Sequence, residues 1–203
     1  MTDHSITARG ETGALPPDEL TRTLTVSDPD DPHLPHLCLV GDTYTILVSG
    51  KQTEGRYCLI DMLVPDGGGP PPHRHDFEEM FTLLEGQLEF TFRGETRTVR
   101  APMTVNIPAN APHRFQNKSG RTVHMLCMCT PAGLEEFFMA VGVPVESRWS
   151  PPPVAPRRAR PRSSRDLLRR DNRLSLYLRI DGRDWLSNNR SFKASYFTMS
   201  VNG

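Results

Sequence analysis

Three histidines and one glutamate carry the chemistry this sequence can do. In the run Gly67-Gly68-Gly69-Pro70-Pro71-Pro72-His73-Arg74-His75-Asp76-Phe77-Glu78-Glu79, two histidines are separated by one residue. On an extended chain such a pair points to one face, so both imidazoles can reach one ion. Glu79 follows four residues after His75, and its alternation places it with Phe81 and Leu83, on the side an inward apolar set would occupy. A carboxylate among inward apolar side chains is costly unless it is paired or bound to a metal. The fourth residue lies further along, in Pro108-Ala109-Asn110-Ala111-Pro112-His113-Arg114-Phe115-Gln116-Asn117. His113 alternates with Phe115 and Asn117, and it too can point inward. Three neutral imidazoles and a carboxylate form a mixed nitrogen and oxygen shell suited to one divalent transition metal (Fe, Mn, Ni, Co, Cu or Zn) and unsuited to calcium. Such a shell leaves coordination positions open, which catalysis at a metal requires.

The elements that must hold these residues are strands. From Leu37 to Thr130, short runs of β-branched, aromatic and leucine residues alternate with turn signals, as in an all-β barrel. The pattern predicts strands over Leu37–Val40, Thr43–Val48, Arg56–Val64, Glu78–Leu84, Gln87–Phe92, Thr96–Arg100, Thr104–Ile107, His113–Asn117 and Thr122–Cys129. Glu85-Gly86 and Arg93-Gly94 are short hairpin connections in which glycine supplies a positive φ, and Lys118-Ser119-Gly120 closes another. One short helix is expected over Pro131–Val141, with Leu134, Phe137, Phe138 and Val141 on a face able to cover a barrel end.

The flanks differ from this middle. Residues 1–36 are acidic and Pro-rich, with seven acids against two bases, and are expected to be a flexible lead segment. Residues 37–145 form the expected barrel. Residues 146–203 turn Pro- and Arg-rich; beyond Ser150 twelve bases stand against four acids with no hydrophobic periodicity. That tail is expected to be disordered or foreign to the fold, and its arginines a solvated run rather than a nucleic-acid grip. The first residues lack the basic cluster and apolar run of a secretory signal, and no stretch approaches the ~20 apolar residues of a membrane span. A cytoplasmic protein with no membrane partner is the expectation. Cys38, Cys58, Cys127 and Cys129 do not form a disulfide framework, and reduced thiols follow. Cys127 and Cys129 share a face; without a second thiol pair they are taken as small buried hydrophobes. His124 alternates opposite to Val123 and Met125 and is expected to be exposed. Phe81, Phe90, Phe92, Met103, Phe115 and Met125 are the candidate interior, available to pack the barrel or line a pocket.

The sequence resembles the cupin superfamily. The first stretch matches the motif G-x5-H-x-H-x3-E-x6-G at Gly67, His73, His75, Glu79 and Gly86. The second, G-x5-P-x-G-x2-H-x3-N, is matched at Pro108, His113 and Asn117, while Pro102 and Asn110 stand where glycines are usual. Asn tolerates the left-handed conformation, whereas Pro102 cannot adopt it and is expected to alter its turn. The resemblance implies an antiparallel jelly-roll barrel (a double-stranded β-helix), metal ligation by His73, His75, Glu79 and His113, and a homodimer. Within the superfamily the chain looks most like single-domain relatives of quercetin dioxygenases. That implies an oxidoreductase acting on a small aromatic or enolisable substrate, with Glu79 as ligand and catalytic proton acceptor. The alternative is a non-redox cupin that binds or isomerises a small metabolite. No helix-turn-helix pattern flanks the barrel, so nucleic acid is not an expected partner.

Overall fold

The computed structural model describes residues 17–152 and the backbone of residues 198–199. Alternating burial is the local rule that builds it. In β5 (Glu78–Glu85) Glu79, Phe81 and Leu83 are buried, while Glu78, Met80 and Thr82 between them are partly exposed. The same alternation runs through β10 (Val123–Thr130), where Val123, Met125, Cys127 and Cys129 face inward. β3 (Cys58–Val64) turns Cys58, Ile60, Met62 and Val64 to the core. Period-two burial of this kind specifies register, because a slip by one residue would expose the whole inward set.

The strands assemble into two antiparallel sheets that enclose one core. The first sheet joins β11 (Val143–Pro144), β1 (His36–Leu39), β2 (Asp42–Val48), β3, β10, β5 and β8 (Met103–Ile107) in that order. The second joins β12 (Thr198–Met199), β4 (His73–Arg74), β9 (His113–Gln116), β6 (Gln87–Phe92) and β7 (Glu95–Arg100). Phe81 from the first sheet meets Phe90 and Phe115 from the second, with ring centroids 5.7 and 5.3 Å apart, so the two inner faces share one aromatic cluster.

Several boundaries differ from the sequence-based expectation. The third strand begins at Cys58, because a one-turn helix α1 (Gly50–Thr53) and its left-handed cap at Glu54 occupy the preceding residues. The two-residue strands β4 and β11 were not expected; neither is long enough to show a period. The predicted helix starts later, as α2 (Leu134–Val141), since Gly133 adopts a φ of 144°. Glu135 ties the two helices together: Oε1 accepts from the Gly50 amide at 2.6 Å and Oε2 from the Gly133 amide at 2.8 Å. Asn110 has a φ of 65°, the left-handed conformation expected where a glycine is usual. The turn at Pro102 contains a cis Ala101–Pro102 bond.

Met103, expected in the interior, is 56% exposed, because its strand pairs at the sheet margin opposite Leu83. His124, expected outside, is half-buried on the outer face, with Nε2 2.5 Å from Asp61 Oδ2. Arg148 completes that cluster, 3.2 Å from Asp61 Oδ1, and is itself buried. Residues 17–35 contain no helix or strand but lie along the barrel, where Pro35 O accepts from Ile46 N at 3.1 Å and Ser27 Oγ donates to Leu47 O at 2.6 Å. The basic tail lies outside the described residues except for β12, whose Thr198 and Met199 pair with Arg74 and His73. Among the described residues no helix is long and apolar enough to cross a membrane.

Candidate metal centre

Every one of the four expected ligands arrives on a different structural warrant. The Gly67–Pro72 run makes the approach, and Gly69 allows it: with a φ of 124°, a Cβ there would lie 2.3 Å from the Phe115 carbonyl oxygen. The short strand β4 then sets His73 directly opposite His113 of β9. His75 follows after one residue, and Glu79 enters from β5 in the other sheet. The ligand atoms of His73, His75, Glu79 and His113 all lie within 4.8 Å of one another, and all four side chains are buried.

Backbone carbonyls fix which imidazole nitrogen faces the centre. Nδ1 of His73 lies 2.9 Å from Pro71 O, Nδ1 of His75 2.9 Å from Phe77 O, and Nδ1 of His113 2.9 Å from Ala111 O. In each case the acceptor is two residues away, so the local chain conformation holds the ring. A carbonyl can only accept, so each Nδ1 carries the proton and Nε2 becomes the ligating nitrogen. Nε2 of His75 and of His113 stand 3.0 and 3.1 Å from one oxygen, Glu79 Oε2. Phe77 lies flat on His75, centroids 3.8 Å apart with planes 3° from parallel.

Burial by itself would raise the Glu79 carboxyl. Hydrogen bonds and positive charge from His113 and His75 outweigh it and hold the group near 2, so Glu79 is an anion. Burial and the neighbouring His113 push His73 down to about 4, leaving it neutral, as a metal ligand must be. Three imidazoles whose Nε2 atoms converge with one anionic carboxylate fit a divalent transition metal, which takes imidazoles in their neutral form.

Three of the four border a cavity that opens to solvent. His73, His75 and Glu79 line it, together with Phe81 and Phe115 from the sheets and Phe137 and Phe138 from α2. Phe81 and Phe115 therefore both pack the core and face the cavity, whereas Phe90 and Met125 pack only. Two residues of β2 escaped the sequence reading. Tyr44 is a cavity wall, and its hydroxyl donates at 3.4 Å to Oδ2 of the fully buried Asp42. The alternation of Asp42, Tyr44 and Ile46 was the available signal. Behind Glu79, Cys127 and Cys129 offer thiols at 3.4 and 4.0 Å from Oε1; a hydrogen bond with Cys129 lowers the Cys127 thiol, but burial and the charge of Glu79 help outweigh it and push it up to about 12, so it holds its proton. His33 and His36 take no part: His36 bonds Thr45 Oγ1 and Asp31 O on the outside of the barrel.

A two-sheet antiparallel barrel with inward histidines and a carboxylate at one end defines the class of protein. Residues 60–129 match the family model of the cupin domain. Over 115 residues, 56% of this chain, the sequence is 29% identical to quercetin 2,3-dioxygenase of Bacillus subtilis, covering 34% of that protein. Over 74 residues, 36% of this chain, it is 31% identical to an uncharacterised protein of Methanocaldococcus jannaschii, covering 59% of it. The chain thus spans about a third and about three-fifths of these two relatives. Among solved structures, a polyketide cyclase from Streptomyces resistomycificus superposes with a TM-score of 0.47 at 22% identity, over 53% of this chain and 80% of that one. A cupin from Shewanella frigidimarina gives 0.45 at 14% identity, over 53% and 91%. Over residues 60–129 the chain is thus similar to the cupin domain.

Proposed function

We propose that this cupin-like protein is a metal-dependent oxidoreductase of the dioxygenase type, acting on a small aromatic or enolisable substrate. One observation carries the proposal: a buried three-histidine, one-carboxylate set borders a cavity whose other walls are mostly apolar and aromatic. A divalent transition metal held by His73, His75, Glu79 and His113 would supply Lewis acidity and redox capacity at that wall. The protein's own residues do the rest. Phe81, Phe115, Phe137 and Phe138 exclude water and stack on a planar ring, and the Tyr44 hydroxyl offers the polar contact that orients it. Glu79, an anion on the cavity wall, is placed to accept the proton of a substrate hydroxyl. The similarity to the Bacillus subtilis dioxygenase supports the same reading. A homodimer belongs to the proposal as well: Leu59, Met80, Leu126 and Met128, only half-buried, give the outer face of the first sheet an apolar surface suited to a second copy.

The test is oxygen uptake by protein loaded separately with iron, manganese, nickel, cobalt and copper, across a panel of flavonols and other enolisable aromatics. Uptake with at least one metal, lost in Glu79→Gln, is expected. Tight binding of a panel member with no uptake under any metal would replace this reading by that of a non-redox cupin that binds or isomerises a small metabolite.

A further inference from the structure

The thiols behind Glu79 form a second constellation that the function above does not use. Cys127 and Cys129 occupy successive inward positions of β10, with their sulfurs 3.7 Å apart. Both approach the same carboxylate oxygen, Glu79 Oε1, at 3.4 and 4.0 Å, whereas the imidazoles of His75 and His113 are gathered on Oε2. The three separations make a nearly regular triangle. Its equidistant point lies about 2.2 Å from each atom, and zinc bonds thiolate sulfur at about 2.3 Å and carboxylate oxygen at about 2.0–2.2 Å. Cys58 brings a third thiol: it lies directly across from Cys129 on β3, fully buried, and shares a hydrogen bond with it. Cys127 also reaches the cavity wall, which gives an ion a way in.

We propose that Glu79 Oε1, Cys127 and Cys129 form a sulfur-rich cation site for a soft ion of the zinc, cadmium or cuprous class, joined to the histidine centre through the shared Glu79 carboxylate. Soft thiolates select such ions over the harder metals that imidazole and carboxylate also accept. Binding displaces one proton from each thiol to solvent, so two thiolates and one carboxylate oppose the charge of two adjacent cations. Cys58 stands by as a fourth donor through its contact with Cys129. The carboxylate then has a different neighbour on each oxygen, nitrogen ligands on one side and sulfur on the other.

Metal-free protein under reducing, oxygen-free conditions is titrated with cobalt(II) and cadmium(II). Two ions per chain are expected, one of them bringing sulfur-to-metal charge-transfer absorption in the near ultraviolet. The absorption disappears in the double variant Cys127→Ala, Cys129→Ala, which keeps one ion. It survives in His75→Ala, His113→Ala, so loss of the histidine centre and loss of the thiol site are told apart. Cadmium-113 resonance on the unaltered chain reads the same point without a variant: two signals, one in the thiolate region. A wild-type protein that shows neither thiolate absorption nor a thiolate-region signal at any cadmium load overturns the proposal, as does absorption that persists in the cysteine double variant.

Discussion

Phe77 and His75 are bound to each other twice. The Phe77 ring stacks on the imidazole at 3.8 Å, and the Phe77 carbonyl lies 2.9 Å from His75 Nδ1, so one residue holds both the plane and the proton of its neighbour. Groups that orient a metal ligand from behind commonly change metal affinity by about 10–100-fold when lost. Phe77→Leu keeps an apolar side chain and the carbonyl but removes the stack. Its affinity for cobalt or nickel is expected to fall by about tenfold at the low end of that range, measured by competition with a chromogenic chelator.

Metal loading should stabilise the folded chain. The four candidate ligands come from two stretches, His73 to Glu79 and His113, that only the folded barrel brings together, so an ion bound to the native state adds about 2.7 kcal/mol at a hundredfold excess over its dissociation constant. The melting temperature of metal-free protein is expected to rise on adding nickel or cobalt and to return on adding chelator. In a Cys127→Ala, Cys129→Ala background, where only the histidine centre is left to hold an ion, adding His113→Ala should abolish that shift; an undiminished shift would place the ion elsewhere.

Asp42 makes stability depend on pH. Burial pushes its carboxyl from 3.8 up to about 7, only partly offset by hydrogen bonds from Tyr44 and Gly69, and Oδ1 has no hydrogen-bond partner among the described residues. Because the folded value exceeds the unfolded one, the unfolded chain releases this proton first. Stability therefore falls as pH climbs from about 4 to about 7 and levels off beyond. Asp42→Asn removes the ionisation. Relative to the wild type it should gain steadily over that window, by at most about 4 kcal/mol above pH 7. Urea unfolding of both proteins from pH 4 to 8 measures the difference, and parallel curves would exclude a buried, titrating Asp42.

Glu135 is a staple between helices distant in sequence. It is almost fully buried, and its two oxygens accept the Gly50 and Gly133 amides. Removing the carboxylate orphans the buried Gly50 amide and the part-buried Gly133 amide, at a cost of about 1–3 kcal/mol for a fully buried donor. Glu135→Ala is expected to lose about 2–5 kcal/mol in denaturant unfolding, and Glu135→Gln, which retains one acceptor, clearly less.

The sequence made the strands of this barrel legible because inward and outward residues alternate along them. Glu79 with Phe81 and Leu83, and His113 with Phe115 and Asn117, fall buried as their alternation predicts. The elements it concealed are too short to carry a period: the single turn Gly50–Thr53 and the pairs His73–Arg74 and Val143–Pro144. His124 shows a different limit. Its alternation correctly turned it away from the core, but whether that outer face meets water depended on Asp61 in another strand and Arg148 beyond the barrel.

The four candidate nitrogen and oxygen donors, the strand period that aims them inward and the left-handed place of Asn110 all follow from the order of residues, because backbone geometry sets them within a few positions. What each ligand touches does not. That His75 and His113 gather on one Glu79 oxygen while Cys127 and Cys129 gather on the other, that Cys58 lies opposite Cys129, and that Asp42 is sealed from water are matters of sheet register and of how two sheets close on each other. Apart from His75 with Glu79, only four residues away, those pairings join residues from 34 to about 70 positions apart along the chain, where no local pattern reaches and only packing of the whole barrel chooses the partner.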